Sequence, residues 1–463
     1  MQTTIKSLLY SFLFLLALCP PAGVSAQMDN LPDKADQDLF LDSLARSTFN
    51  FFWELGNTDN GQIPDRWPNE MFTSIAATGF GLTSYIIGVE RGYVTREEAA
   101  KRVVKTLRFL FSLPKGPEMS GVAGYKGFFY HFLYQKTGLR YENVELSTID
   151  TTLLMAGVLA CMTYFDQENN ATEKDIRVIA RDLYLSVEWD WAMDGRDVMS
   201  MGWFPDKGFL DASWQGYNEA MILYIMALGS PTHPIQDSTW KAWTNTYEWK
   251  EHLGYEYVNF GPLFGHQYSQ CFIDFRGIQD AYMQQKGIDY FENSKRATYA
   301  NRRYCSLNPG AFTGYSDQLW GLTACDGPGN EQNRDPNIHF TGYNARGVGY
   351  GYVEDDGTIA PTAAGGSIAF APEICVPALM HMKYRYPATY GKYGFFDSFN
   401  LTFPNKNGTT GWVDPDYLGI DQGPILMQID NYQSGTILNL MKKNPYIVRG
   451  LKKAGFKGGW LAE

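Results

Sequence analysis

Residues 148–165 read TIDTTLLMAGVLACMTYF, and residues 96–113 read REEAAKRVVKTLRFLFSL. Both stretches have helical period, but they are different kinds of helix. The second carries charge on one side and Val103, Val104, Leu107 and Leu110 on the other, so it lies at a surface with one face buried. The first is apolar nearly all round, and such a helix has to be enclosed by protein on every side. The same contrast recurs between the amphipathic segment Glu173–Trp189 and the apolar segment Ala220–Leu228. Enclosed and half-enclosed helices in alternation predict an inner ring inside an outer ring. The fold class is therefore all-α, an α/α toroid of about six hairpins, with an irregular helical bundle as its rival.

About a dozen helices are legible by period. Besides those above they are Leu39–Leu55, Ser74–Arg91, Ser238–Thr246, Ser269–Gln284, Tyr290–Tyr304, Pro372–Tyr386, Gly423–Met441 and Pro445–Ala454. Thr95 followed by Glu97 and Glu98 marks one start, and Gly92 ends the helix before it. Long Gly-, Trp-, Tyr- and Pro-rich segments join them, notably Asn57–Phe72, Pro114–Tyr130, Asp194–Gln215, Leu307–Gly366 and Asn400–Ile420. Loops of that length in a compact protein usually carry function.

The bulk numbers narrow the classes. The 463 residues are 44% hydrophobic and 15% aromatic, enough for a large core with rings to spare for stacking on sugars. A net charge of −11 argues against a nucleic-acid partner. The first 26 residues have the form of a secretory signal: Lys6, an apolar run from Leu8 to Leu18, and Val24-Ser25-Ala26 as the cleavage site. That run is too short to span a membrane, and no later segment spans one. Leu18 is poorly suited to precede a lipidated Cys19, so the expectation is export, to the periplasm or outside, rather than lipid anchoring. Residues 27–37 then read as a linker and 38–463 as one catalytic domain. Without Cys19 five cysteines remain, an odd number with no tight spacing. They form neither a disulfide framework nor a zinc site, although one Cys305–Cys325 bridge is compatible with their positions.

Four acids share a setting. Asp150, Glu219, Glu373 and Asp421 each open a helix too apolar to lie at the surface. If inner helices run parallel, their N-termini face one end, and four carboxyls distant in sequence converge on one cavity. Each also has a plain structural reading, since Ser147-x-x-Asp150 resembles a capping box and an acid in a first turn gains from the helix dipole. The dipole lowers a carboxyl's pKa, which suits a base and opposes a general acid. Glu219 has the aromatic, amide-rich approach that would counter this: Trp203 and Phe204 on the preceding loop, then Trp214, Tyr217 and Asn218. It is read as the proton donor, with Asp421 or Asp150 as the base that activates water. Glu145, Arg66, Trp67, His131, His266 and Glu373 are candidate substrate-binding residues. No metal ligand spacing appears among the six histidines, and Glu354-Asp355-Asp356-Gly357 reads as a turn rather than a calcium loop. No cofactor is expected.

The segments GFFYHFLYQKTGLR, ELSTIDTTLLMAG, GWFPDKGF, WQGYNEAMILYIMALGSPTHP, GPLFGHQYSQCFIDFRGIQD, GLTACDGPG, APEICVPAL and GIDQGPILMQIDNYQSG resemble, in order, the glycoamylase-like family, over roughly Asp38 to Gly450. That family includes secreted bacterial endo-β-1,2-glucanases. Cys271 is a small departure within the fifth segment. The resemblance implies an (α/α)6 toroid, a negatively lined pocket, and hydrolysis of β-1,2-linked glucan by inversion without a metal. It also implies that Asp150, Glu219 and Asp421 are pocket acids. Two rivals remain at this stage: an exo-acting α-glucan hydrolase and a non-catalytic glycan-binding protein.

Overall fold

The computed structural model describes residues 33–330, 338–404 and 410–462. The signal segment and Cys19 lie outside these. The described residues form fifteen α-helices. In chain order these are α1 (Lys34–Leu55), α2 (Ile75–Glu90), α3 (Arg96–Ser112), α4 (Thr148–Tyr164), α5 (Ala171–Leu185), α6 (Met221–Gly229), α7 (Ser238–Thr244) and α8 (Phe264–Phe272). They continue with α9 (Ala281–Lys286), α10 (Tyr290–Leu307), α11 (Pro361–Gly365), α12 (Pro372–Arg385), α13 (Gly419–Gln433), α14 (Thr436–Met441) and α15 (Pro445–Lys453).

Two classes of helix are present. Nearly every residue of α2, α4, α6, α8 and α13 is buried. In α3, α5 and α15 only one stripe is, for example Val103, Leu107 and Leu110 in α3. The buried helices touch one another and each also backs onto others: α4 lies against α2, α5 and α6, while α13 lies against α1, α2 and α8. Burial of a Leu or Ile side chain contributes about 1.5–3 kcal/mol, so the apolar runs read from the sequence are what commits these helices to the interior. Two glycines let α2 and α4 approach closely: a Cβ on Gly157 would lie 2.1 Å from the Gly79 carbonyl oxygen. Starts are fixed by caps. Thr95 and Glu98 form a full capping box, and the Ser147 hydroxyl accepts from the Asp150 N–H.

The structure corrects several expectations. The chain is predominantly helical but not all-α, because the long connecting segments fold into nine small two- and three-stranded antiparallel sheets among the described residues. Helix α1 begins at Lys34, inside the segment expected as linker, where Asp33 caps it. The helix expected over 269–284 stops at Phe272. Asp274 turns the chain by binding Arg276, Gly277 takes φ +74°, and the helix resumes as α9. The helix expected over 423–441 is likewise divided, at Gly435 with φ +66°. Cys305 and Cys325 are both buried and unbridged.

Candidate active site

The N-terminal ends of three buried helices meet the loop before a fourth at one cavity of about 200 Å³. Its walls are Ile149, Asp150 and Leu153 from α4, Glu219 just before α6, Phe264 and Tyr268 from α8, and Ile420 and Asp421 from α13. His131, Ala324, Tyr343 and Leu418 complete it. A larger groove around Asp190, Arg196 and Lys241 is lined by none of the four acids at helix starts.

Each of the three acids has a distinct environment. Asp150 is engaged on both oxygens: the Ser147 hydroxyl donates to Oδ2 at 2.5 Å, and His131 Nε2 stands 3.5 Å from Oδ1. Glu219 lies two residues before α6, ahead of the N-cap residue Ala220, and the helix start has no side-chain cap bond. Its Oε2 is buried without a hydrogen-bond partner. Burial therefore raises its pKa to about 7; its own backbone N–H works against this and the Asp150 charge adds to it. Asp421, in the first turn of α13, also has a buried oxygen without a partner. Burial raises its pKa, while a hydrogen bond from Asp397 favours its charged form. Asp397 is itself 1% exposed and pushed well above the carboxylate range, first by burial and then by Asp421. The two neighbouring buried carboxyls titrate as a pair, since ionising both at once is costly.

Behind Asp421 lies a bank of acids. Carboxylate oxygens of Asp326, Asp397 and Asp414 all lie within 4.8 Å of one another. Arg66 is the cation that faces this bank. It reaches Asp65 at 3.2 Å, Asp326 at 2.8 Å and Asp416 at 3.4 Å. Burial raises Asp414 to about 6, against the Asp416 N–H that hydrogen-bonds it.

The candidate residues divide accordingly. Asp150, Glu219, Asp421 and His131 line the cavity, and Glu145 touches it through His131, 2.8 Å from Nδ1. Glu373 does not join them. It is exposed at the start of α12, bonded to the Tyr299 hydroxyl and near Lys295, because α12 is not one of the helices whose ends reach the cavity. Arg66 has its donors engaged by carboxylates rather than turned to a sugar. Trp67 pairs with Tyr417 in a two-stranded sheet. Trp203 is packed against Tyr125 and Trp191, and Phe204 lies under Lys207, so neither lines the cavity. Trp214 is buried and donates from Nε1 to the Thr148 hydroxyl, bracing the start of α4. Tyr217 is a core ring stacked on Tyr290. Asn218 accepts from the Ala220 N–H and so shapes the turn carrying Glu219. His266 is buried against the Phe260 carbonyl and pushed down to about 4 by burial, hence neutral. Tyr268, Tyr343, Asp397, Asp326 and Asp414 were not singled out by sequence. Tyr268 and Asp326 lie within segments that carry the family resemblance, but nothing local distinguishes any of the five.

A predominantly helical protein whose helix ends gather buried carboxyls around one pocket has the groups that acid–base chemistry requires. The comparisons specify the family. Residues 211–445 match the glycoamylase family model, described as "Putative glucoamylase". A curated relative, the exo β-1,2-glucooligosaccharide sophorohydrolase (non-reducing end) of Parabacteroides distasonis, is 31% identical across 89% of this chain. The chain spans 57% of that relative's length. Among solved structures, a glucoamylase-like protein from Bacteroides uniformis is 33% identical with a TM-score of 0.80, covering 93% of this chain and 100% of its own. The endo-β-1,2-glucanase of Chitinophaga pinensis, solved with sophorotriose and glucose, is 29% identical with a TM-score of 0.79, covering 92% and 99%. The chain belongs to the glycoamylase family.

Proposed function

We propose that this protein is an exported glycoside hydrolase that cleaves β-1,2-glucan by inversion, without a cofactor, and that its helices close into an (α/α)6 toroid. The observation that carries the reading is the pair of environments at one cavity. Glu219 is buried with one oxygen unpartnered and no cation beside it, and burial raises it to about 7; burial raises Asp421 to about 7 as well, but there a hydrogen bond from Asp397 favours the charged form. Glu219 protonates the leaving glycosidic oxygen. Asp421 takes a proton from the water that attacks the anomeric carbon from the opposite face, so one inversion at carbon completes the reaction. Asp150 is a poorer base, because the Ser147 hydroxyl and His131 already occupy its oxygens. Its charge serves instead to keep the proton on Glu219. The contact of fully buried helices with half-buried ones supports the toroid, and the named activities of the P. distasonis and C. pinensis relatives support the linkage.

The test is hydrolysis of linear β-1,2-glucan and of starch, followed by proton NMR of the first product. New reducing ends in the α configuration from β-1,2-glucan alone are the expected result, and the product sizes divide endo from exo action. Cleavage of starch alone, a β-configured product, or binding of sophoro-oligosaccharides without turnover would each refute the proposal.

A further inference from the structure

His131 is the cation among the residues lining the cavity, and its surroundings are built around it. The residue ends a loop segment before Phe132, whose ring stacks on the imidazole at 3.9 Å between centroids. Nδ1 lies 2.8 Å from Glu145 Oε1, and Nε2 lies 3.5 Å from Asp150 Oδ1. Glu145 is three residues upstream of α4 and Asp150 is in its first turn, so the ring bridges the segment leading into the helix to the helix itself. A neutral imidazole has only one N–H and could donate to one of these carboxylates, leaving a lone pair facing the other. An imidazolium donates to both. The hydrogen bond with Glu145 at one nitrogen and the Asp150 carboxylate 3.5 Å from the other both favour the charged form. Burial opposes the charge, but Asp150, the Glu145 hydrogen bond and charge, and Asp65 outweigh it and raise the group to about 9. Glu145 is lowered in turn: burial would raise it, and the bond to His131 overcomes that.

The charges around this ring are few. Asp65, Glu145 and Asp150 face it, Arg66 neutralises Asp65 from behind, and Arg140 lies on the far side of Glu145. Glu219 and Asp150 line the same cavity, and the Asp150 charge is one cause of the raised Glu219 pKa. Two buried carboxyls within electrostatic reach compete for one proton, and the one beside a cation loses it.

We propose that His131 is a positioning residue: an imidazolium strung between Glu145 and Asp150 that holds the Asp150 carboxylate at the cavity, where its negative charge acts on Glu219. This rests on the reading of Glu219 as proton donor, but its first test does not need activity. In protein labelled with ¹⁵N-histidine, the His131 signal, assigned by its loss in His131→Gln, should remain that of an imidazolium through neutral pH and titrate near 9. Asp150→Asn and Glu145→Gln should each lower that midpoint by about one unit or more. A midpoint at or below the ordinary 6.5, or one unmoved by both substitutions, overturns the proposal whatever the protein hydrolyses.

The second test reads the pH profile. In His131→Gln the Asp150 carboxylate loses the group that holds it at the cavity, so kcat should fall by about tenfold while KM changes less than about threefold. The alkaline limb should move up, because a positive charge that helped release the proton is gone. His131→Lys restores the charge and should return the limb toward its original position. A merely structural histidine would lower activity in both variants with the limb fixed, and that result overturns the proposal. Failure of wild-type protein to cleave β-1,2-glucan would instead refute the assigned function, leaving the NMR titration to decide the role of His131.

Discussion

Replacement of Glu219 by Gln has a stability consequence whose size and sign follow from its burial. An unfolded Glu titrates near 4.5, and the folded Glu219 near 7, a separation of about 2.5 units. At about 1.36 kcal/mol per unit, this is about 3 kcal/mol. The sign is opposite to that of a salt-bridged acid. The folded state holds the proton more tightly, so the contribution is fully present below pH 4.5 and is lost as pH rises through 7. Gln carries no titrating proton and is indifferent. The stability of Glu219→Gln relative to wild type should therefore rise by about 3 kcal/mol between pH 4.5 and 8. Any fixed difference between the side chains cancels in that comparison. Urea unfolding of both proteins at half-unit pH steps measures it, and kcat on β-1,2-glucan measured in parallel should fall by about 10²–10⁴-fold. A stability difference that is flat within about 0.5 kcal/mol over this range would mean that Glu219 ionises as an ordinary carboxyl, and the case for it as general acid would collapse.

Three further outcomes are expected. Asp397→Asn keeps a donor toward Asp421 and should retain kcat within about tenfold, whereas Asp397→Leu removes the donor and should lose a further order of magnitude or more; equal losses would refute the role of the Asp397 hydrogen bond. Glu373→Ala should leave kcat/KM within about twofold, because Glu373 is exposed on α12 and does not line the cavity; a large loss would return it to the site. Gly157→Ala forces a methyl to 2.1 Å from the Gly79 carbonyl and should cost on the order of 1–3 kcal/mol in urea unfolding, with kcat per folded molecule little changed.

Helical period and cap chemistry made most of the fold legible before any coordinates. Thr148–Phe165 and Arg96–Leu113 differ in how many of their faces are apolar, and burial follows that difference. The helix breaks at Gly277 and Gly435 were not legible, because the flanking apolar periodicity runs through them and only the observed positive φ shows the chain turning. The small sheets escaped for a related reason: strands of two to four residues have no period to detect. Asp150, Glu219 and Asp421 could be found by their positions at apolar helix starts. Glu373 shared that signal, because an apolar stretch does not say which helices end at the cavity. The aromatic approach to Glu219 was legible as composition but misleading as geometry. Trp203, Tyr125 and Trp191 pack on one another, and Glu219 owes its raised pKa to burial and to Asp150 rather than to those rings. Asp397 stayed hidden because what distinguishes it is a partner at the other end of a loop.

Proton ownership at the cavity follows from where the cations are. On one side Asp150 faces His131, with the Ser147 hydroxyl on its other oxygen. On the other, a hydrogen bond from Asp397 favours the charged form of Asp421, and Arg66 balances the acids behind them. Glu219 has neither a cation nor a donor other than its own backbone, and one of its oxygens has no partner at all. The helix dipole, which would have argued against an acid here, acts on Asp150 and Asp421 in the first turns of α4 and α13. Glu219 precedes α6 without capping it. An uncompensated buried carboxyl lowers its energy most by keeping its proton. In the proposed mechanism the general acid is the cavity carboxyl with neither a cation nor a side-chain donor beside it, and a cation introduced beside Glu219 should abolish acid catalysis even with Glu219 itself intact.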